Sequence, residues 1–407
     1  MKGDGYVFSR LAVHGFRRLS AVDIELRPLM VLIGANGVGK TSFLDLWAML
    51  AEAASLRLEE FISEHGGLAE IITRERQEGT HGREMFLQAE LSAAPKGGSA
   101  GPSQRLLGLV PGRLDYRLKL VPAGPGYAVH EEALSQFDPQ KPGSGFKLMG
   151  GTGRPVLYLD TKAAQLLPPT WEVNPLETAL AQVPKGLREA ESLRRQLASS
   201  AYYGPLDVSA QARVRLPQPV RPSALPGKDG EDLVSCLFSI RETDRDRFEM
   251  VEDALRAAFP DFERLDFPPV AAGTLSMTWK DRRFARPFYT SQLSEGTLRY
   301  LWLTALLSSG SLPAVTMIDE PEVSLHPELL SQLAELMRES SRRTQLIVAT
   351  HSDRLVRFLQ PREVLVCDLE EGEARLRWAD SLDLDHWLKD YTLDEVWRLG
   401  QLGGRAQ

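Results

Sequence analysis

Between Ala21 and Leu26 apolar and polar residues alternate, while Leu29–Ile33 is an unbroken apolar run. The first pattern predicts a half-buried strand, and the second a strand covered on both faces, as in the middle of an α/β sheet. A glycine-rich turn follows. From Thr41 to Ser55 the residues Phe43, Leu44, Trp47, Leu50, Ala51 and Ala54 then recur at helical spacing. The same rhythm returns after Leu293, predicting helix Glu295–Leu307, strand Ala314–Ile318, helix Pro327–Ser340 and strand Gln345–Thr350. Pro327 suits the first turn of its helix, where the missing N–H costs no hydrogen bond. Strands Glu363–Leu369 and Ala374–Trp378 close the series around a turn at Glu371-Gly372.

The middle of the chain has another texture. Ala94–Pro102, Pro122–Gly126 and Pro139–Pro155 are rich in Gly and Pro and predict loops between short strands. Helical patches at Leu187–Ser199 and Asp232–Phe259 flank the Pro-rich stretch Leu216–Gly227. The expected organisation is an α/β head in two halves, residues 1–90 and 271–407, around an inserted α+β lobe over 91–270. There is no internal repeat and no heptad run long enough for a coiled coil.

Composition narrows the class. Of 407 residues, 43% are apolar and 25% charged, so a sizeable core is expected and a disordered chain is not. The net charge is −7, from 48 basic and 55 acidic residues, which gives bulk charge no part in wrapping nucleic acid. Cys236 and Cys367 lie far apart without ligand-like spacing, so free, buried thiols are expected rather than a disulfide or zinc site. The start of the chain lacks a signal peptide's apolar core, and no apolar run approaches the ~20 residues needed to span a bilayer. The expectation is a cytoplasmic protein without membrane contact.

Four segments carry chemistry. Gly34-Ala35-Asn36-Gly37-Val38-Gly39-Lys40-Thr41 fits G-x-x-x-x-G-K-[ST] between a strand and a helix. In such a loop the backbone of Gly34, Asn36, Gly37 and Gly39 surrounds phosphate oxygens, Lys40 reaches the β- and γ-phosphates of ATP, and Thr41 offers its hydroxyl to Mg²⁺. The apolar strand ending in Asp319-Glu320 would put one carboxylate near the metal and the other near the γ-phosphate, where it can polarise water. Acids after a strand are also common helix caps, so this signal draws its force from the phosphate loop. His351 follows a strand directly, in reach of the γ-phosphate or the attacking water. Leu293-Ser294-Glu295-Gly296-Thr297 opens a helix with Ser294 as its N-cap, and the same exposed N–H groups and hydroxyl can meet a γ-phosphate presented by a second subunit.

Taken in this order, phosphate loop, Leu-Ser-x-Gly segment, Asp-Glu strand and histidine resemble a P-loop NTPase head of the ABC type. Leu325-His326-Pro327, where transporter ATPases usually have Leu-Asp, resembles the RecF/OLD branch. The chain is similar to the RecF-like predicted bacterial ATPases through Phe16-Arg17, Gly66-Gly67-Leu68, Asp229–Leu233, Phe259-Pro260-Asp261-Phe262, Pro287–Leu298 and Leu399-Gly400 with Gly403-Gly404. The resemblance implies Asp319 on the metal, Glu320 as catalytic acid, His351 as the switch histidine, and Ser294 with Gly296 as the signature acting in trans. ATP would thus lie between two subunits of a homodimer. Glu295 and Thr297 depart from the transporter signature, and the Q-loop glutamine is open between Gln77 and Gln88.

The resemblance implies ATP hydrolysis serving DNA repair or recombination. A second reading is a sensor or scaffold of an anti-phage system with a separately encoded effector nuclease, since the stretch after Gln360 is too short for the TOPRIM nuclease domain of OLD-like ATPases. A transporter subunit fits less well. If DNA binds, the basic segment Lys280–Arg286 is the place expected, through phosphate contacts. Trp279, Phe284 and Phe288 are expected in the sheet core.

Overall fold

A computed structural model of the chain describes residues 6–73, 86–95, 112–137, 145–153, 156–160, 163–370, 372–384 and 386–404. Its centre is a six-stranded sheet in the order Ala201–Tyr203, Val315–Asp319, Gln345–Ala349, Leu29–Ile33, Val364–Glu370, Glu373–Trp378. The first five strands are parallel and the last is antiparallel. Because side chains alternate across a strand, the run Leu29–Ile33 divides between two cores. Met30 and Leu32 enter one, and Leu29, Val31 and Ile33 the other. Its neighbours divide likewise, Ile347 and Ala349 to one side, Leu346 and Val348 to the other. A strand buried on both faces needs apolar residues at every position, and this accounts for the unbroken run.

On one face the helix Lys40–Ala53 lies between the central sheet and an eight-stranded antiparallel sheet, with Phe43, Leu44, Leu46 and Trp47 at most 1% exposed. On the other face pack helices Leu233–Thr243, Arg245–Ala258, Glu295–Leu307 and Leu329–Ser341.

Residues 91–270 contribute strands to both large sheets. Leu87–Pro95 pairs with Tyr6–Phe16, and the strands between Arg113 and Leu167 continue that antiparallel sheet outward. Ala201–Tyr203 joins the central sheet beside Thr316–Ile318. The physical reason is edge satisfaction: Tyr6–Phe16 has one side open after pairing Leu19–Glu25, and the alternating apolar face of Leu114, Tyr116, Leu118 and Leu120 needs the same core.

Local boundaries also move. The helical stretch Asp232–Phe259 breaks at Asp244, whose carboxylate accepts from the Arg247 N–H at 3.1 Å and starts a second helix. The Asp-Glu strand runs one residue further, to Asp319, and the helix expected from Pro327 begins at Leu329. Within the Gly-rich stretch Pro139–Pro155, Gly145–Thr152 is a strand pairing Glu131–Phe137. Residues 96–102 and Glu371 lie outside the described residues. Cys236 and Cys367 are both free and buried, and burial pushes each thiol up to about 12. Among the described residues no helix is long and apolar enough to cross a membrane.

Candidate functional site

The parallel order of the central sheet brings the ends of three adjacent strands together at one edge, and each carries one of the expected motifs. At the end of Leu29–Ile33 the chain turns through Gly34, Gly37 and Gly39, all with positive φ, into the helix that begins at Lys40. A β-carbon on Gly34 would lie 2.3 Å from the carbonyl oxygen of Cys367, so the neighbouring strand admits only glycine there. Above Gly37 the space is open, with no atom within 4 Å of a β-carbon position.

Lys40 is 5% exposed. Its ammonium donates to the carbonyl oxygens of Gly34 at 2.6 Å and Ala35 at 2.8 Å, folding back on its own loop. Burial lowers its pKa, while nearby Asp319 and Glu320 oppose that shift. A buried cation held by the neutral carbonyls of a turn, beside a helix N-terminus, is a site short of negative charge. The open cradle over Gly37 and this ammonium fit a polyphosphate.

Asp319 closes its strand, paired with Ala349, and accepts a hydrogen bond from the Tyr202 hydroxyl at 3.2 Å. Burial raises its pKa, Glu320 adds to the rise, and Tyr202, His351 and Lys40 counter it. The chain then enters the left-handed region at Glu320, φ +47°, while its N–H still bonds the Ala349 carbonyl at 2.8 Å. A non-glycine residue in that region is strained and is held by its surroundings. The kink turns Glu320 toward His351, whose Nε2 lies 3.8 Å from Oε1. The other ring nitrogen, Nδ1, stands 3.4 Å from Lys40 Nζ. Burial and the Lys40 ammonium lower the His351 pKa, against the two carboxylates.

Lys40, Asp319, Glu320 and His351 are thus brought together with the loop. Thr41 is exposed at the start of the helix, and with Asp319 it could share a metal with phosphate oxygens. Three further residues contribute to the site. Tyr202 arrives on a short edge strand without periodic pattern. Thr350 donates to Glu322 at 2.5 Å and ties the histidine turn to the segment after Glu320. Arg17, with φ +48°, pairs with Asp45 on the phosphate-loop helix.

Ser294 caps its helix, accepting from the Thr297 N–H at 3.1 Å, and is exposed. It lines a cavity of about 420 Å³ with Phe259, Trp279, Arg283 and Phe284 rather than the phosphate loop of its own chain. Gly296 has a packing reason of its own, because a β-carbon there would lie 2.5 Å from the Ser324 carbonyl oxygen. Of the glutamines, Gln88 sits in the antiparallel sheet bonded to Glu90, and Gln77 lies outside the described residues.

The basic segment is less free than its composition suggests. Arg283 pairs with both Asp261 and Asp281, and Lys280 donates to the carbonyls of Phe284 and Ala285. Phe284 is 49% exposed, contrary to the core position expected for it, because its loop leaves the sheet before Phe288 rejoins it. Trp279 is buried as expected.

Residues 183–357 match a family described as "AAA domain, putative AbiEii toxin, Type IV TA system", a span holding Ser294, Asp319, Glu320 and His351 but not the phosphate loop. Among solved structures, a Smc head bound to the C-winged helix domain of ScpA superposes with a TM-score of 0.52 at 12% identity, covering 91% of this chain and 97% of that one. A Smc head domain with an extended coiled coil, bound to the C-terminal domain of ScpA and derived from Pyrococcus furiosus, gives 0.50 at 11% identity, covering 94% and 98%. The chain shares the fold of these Smc head domains. No curated protein matches the sequence.

Proposed function

We propose that this protein binds ATP with Mg²⁺ at the phosphate loop and hydrolyses it, and that two copies close around the nucleotide. The observation that carries this reading is the convergence of Lys40, Asp319, Glu320 and His351 from three adjacent strand ends onto one glycine-rich loop. When bound, Mg²⁺ would neutralise phosphate charge between Thr41 and Asp319. Lys40 would exchange the carbonyls of Gly34 and Ala35 for phosphate oxygens. Glu320 would orient a water and take its proton as the water oxygen bonds the γ-phosphorus and the bridging β–γ bond breaks. His351, neutral at physiological pH, would hold the γ-phosphate or the water. The exposure of Ser294 away from its own loop supports a signature that serves the partner's nucleotide.

For the biological role, the family description over residues 183–357 favours a toxin–antitoxin or anti-phage setting, in which the head would act as the nucleotide-driven switch of a system with a separate effector. The pairing of Arg283 and Lys280 within their own loop weakens the case for a DNA-repair clamp at Lys280–Arg286.

The test is ATP binding, hydrolysis and mass in solution. Wild type should hydrolyse ATP, Lys40→Ala should lose nucleotide binding, and Glu320→Gln should bind ATP, stall and accumulate as a dimer. A wild type that neither binds nor hydrolyses ATP would overturn the reading. Hydrolysis stimulated by duplex or gapped DNA, and lost at high salt, would move the role to DNA repair.

A further inference from the structure

The last described helix, Leu393–Arg398, ends in a left-handed Gly400, φ +80°, and the chain then doubles back toward the central sheet. Leu402 is 3% exposed, anchored in the same core as Ile33 and Val366. Gly403 and Gly404 follow with φ of +75° and +72°. At Gly404, which is buried, a β-carbon would lie 3.2 Å from the Gly34 α-carbon, 3.3 Å from the Cys367 carbonyl oxygen and 3.4 Å from Val366 Cγ1. At Gly403 it would lie 2.7 Å from Asp368 Oδ2.

Gly404 therefore packs against the Gly34 backbone, beside the Cys367 carbonyl that both glycines approach. Gly34 is also the residue whose carbonyl holds the Lys40 ammonium at 2.6 Å. Any exchange of that carbonyl for a phosphate must be accommodated at Gly34. The seating of Gly404 bears directly on the Gly34 backbone, 3.2 Å from its α-carbon to a β-carbon position on Gly404.

We propose that the segment Leu399–Gly404 is a positioning element of the phosphate loop: its docking holds Gly34 in the geometry that receives phosphate, so that docking and ATP binding are coupled. The proposal rests on the nucleotide reading above. Coupling of this kind is reciprocal, so bound ATP should tighten the segment by the same factor that the docked segment tightens ATP.

Two measurements test it. First, ATP affinity is measured by fluorescent-nucleotide titration for wild type, Gly404→Ala, Gly404→Val and Gly124→Ala. Gly124 has φ +57° with open space around it, so its substitution introduces the same kind of backbone strain without touching the loop. Gly404→Val should weaken ATP binding about fivefold or more, Gly404→Ala less, and Gly124→Ala not at all. Second, hydrogen exchange over Leu399–Gly404 is followed in Glu320→Gln with and without Mg-ATP, where ATP should slow it. This arm also decides if Gly404→Val fails to fold. A folded Gly404→Val with wild-type affinity, or exchange unaltered by ATP, overturns the proposal while leaving the ATPase reading intact. Absence of ATP binding in wild type overturns both.

Discussion

His351 and Lys40 stand 3.4 Å apart, ring Nδ1 to ammonium, at the ends of strands that enter the sheet from opposite ends of the chain. Two cations are not stable at that distance, so the ring must be neutral and present a lone pair toward the ammonium. Burial and Lys40 both hold the His351 pKa below its ordinary value of 6.5. A base with a depressed pKa binds fewer protons in the folded state than in the unfolded one, so stability is undiminished above about 6.5 and falls as pH drops through that range. The hydrolysis rate should fall at lower pH, where the ring in the folded protein itself takes up a proton. A pH–rate profile checks this, with His351→Gln expected to lower kcat on the order of 100-fold or more and to flatten the acid limb. An acid limb unchanged in His351→Gln would assign it to another group.

Asp319 is half-buried beside Glu320, and burial raises its pKa. In the nucleotide-free protein a charged Asp319 is therefore a cost, and stability contributed by its protonated form is lost as pH rises past its ordinary range. Asp319→Asn should raise the melting temperature of the nucleotide-free protein. It should also abolish any further stabilisation by Mg-ATP over ATP alone. Thermal melts with and without Mg²⁺ check both halves, and a destabilised apoprotein would contradict the electrostatic account.

Tyr202 donates to Asp319 Oδ2. Tyr202→Phe keeps the ring and removes one hydrogen bond to a carboxylate, a contact worth about 1.5–3 kcal/mol. The Mg²⁺ concentration for half-maximal hydrolysis should rise several-fold. Equal Mg²⁺ titrations for the two proteins would reduce Tyr202 to packing.

Ser294 caps its helix, so Ser294→Ala should cost about 1 kcal/mol of stability whatever its other role. If it serves a partner's nucleotide, hydrolysis should fall far beyond that. A mixture of Ser294→Ala and Lys40→Ala should regain activity that neither has alone, because the mixed dimer holds one complete composite site. Kinetics on mixed subunits decide it, and an inactive mixture would argue against composition in trans.

The loop, the Asp-Glu strand and the histidine were legible because each is a short apolar run followed by a chemically unusual end. Leu29–Ile33 is apolar at every position since both of its faces are covered. The contribution of Ala201–Tyr203 was not legible, since three residues at a sheet edge carry no period. Nor was the role of residues 91–270 in completing both sheets, because their alternation shows that they pair without showing with what.

From the sequence alone came the local chemistry: an unbroken apolar strand, a glycine-rich turn with Lys40 and Thr41, two acids after a second strand and a histidine after a third. These follow from neighbours in the chain, through side-chain period and the φ that glycine permits. Only the tertiary structure decided which groups face one another. It set His351 against Lys40, Tyr202 on Asp319 and Gly404 on Gly34, since those approaches depend on strand order and on the close packing of backbones far apart in the chain. Local pattern specifies that a strand forms, and the shared core specifies where it lies.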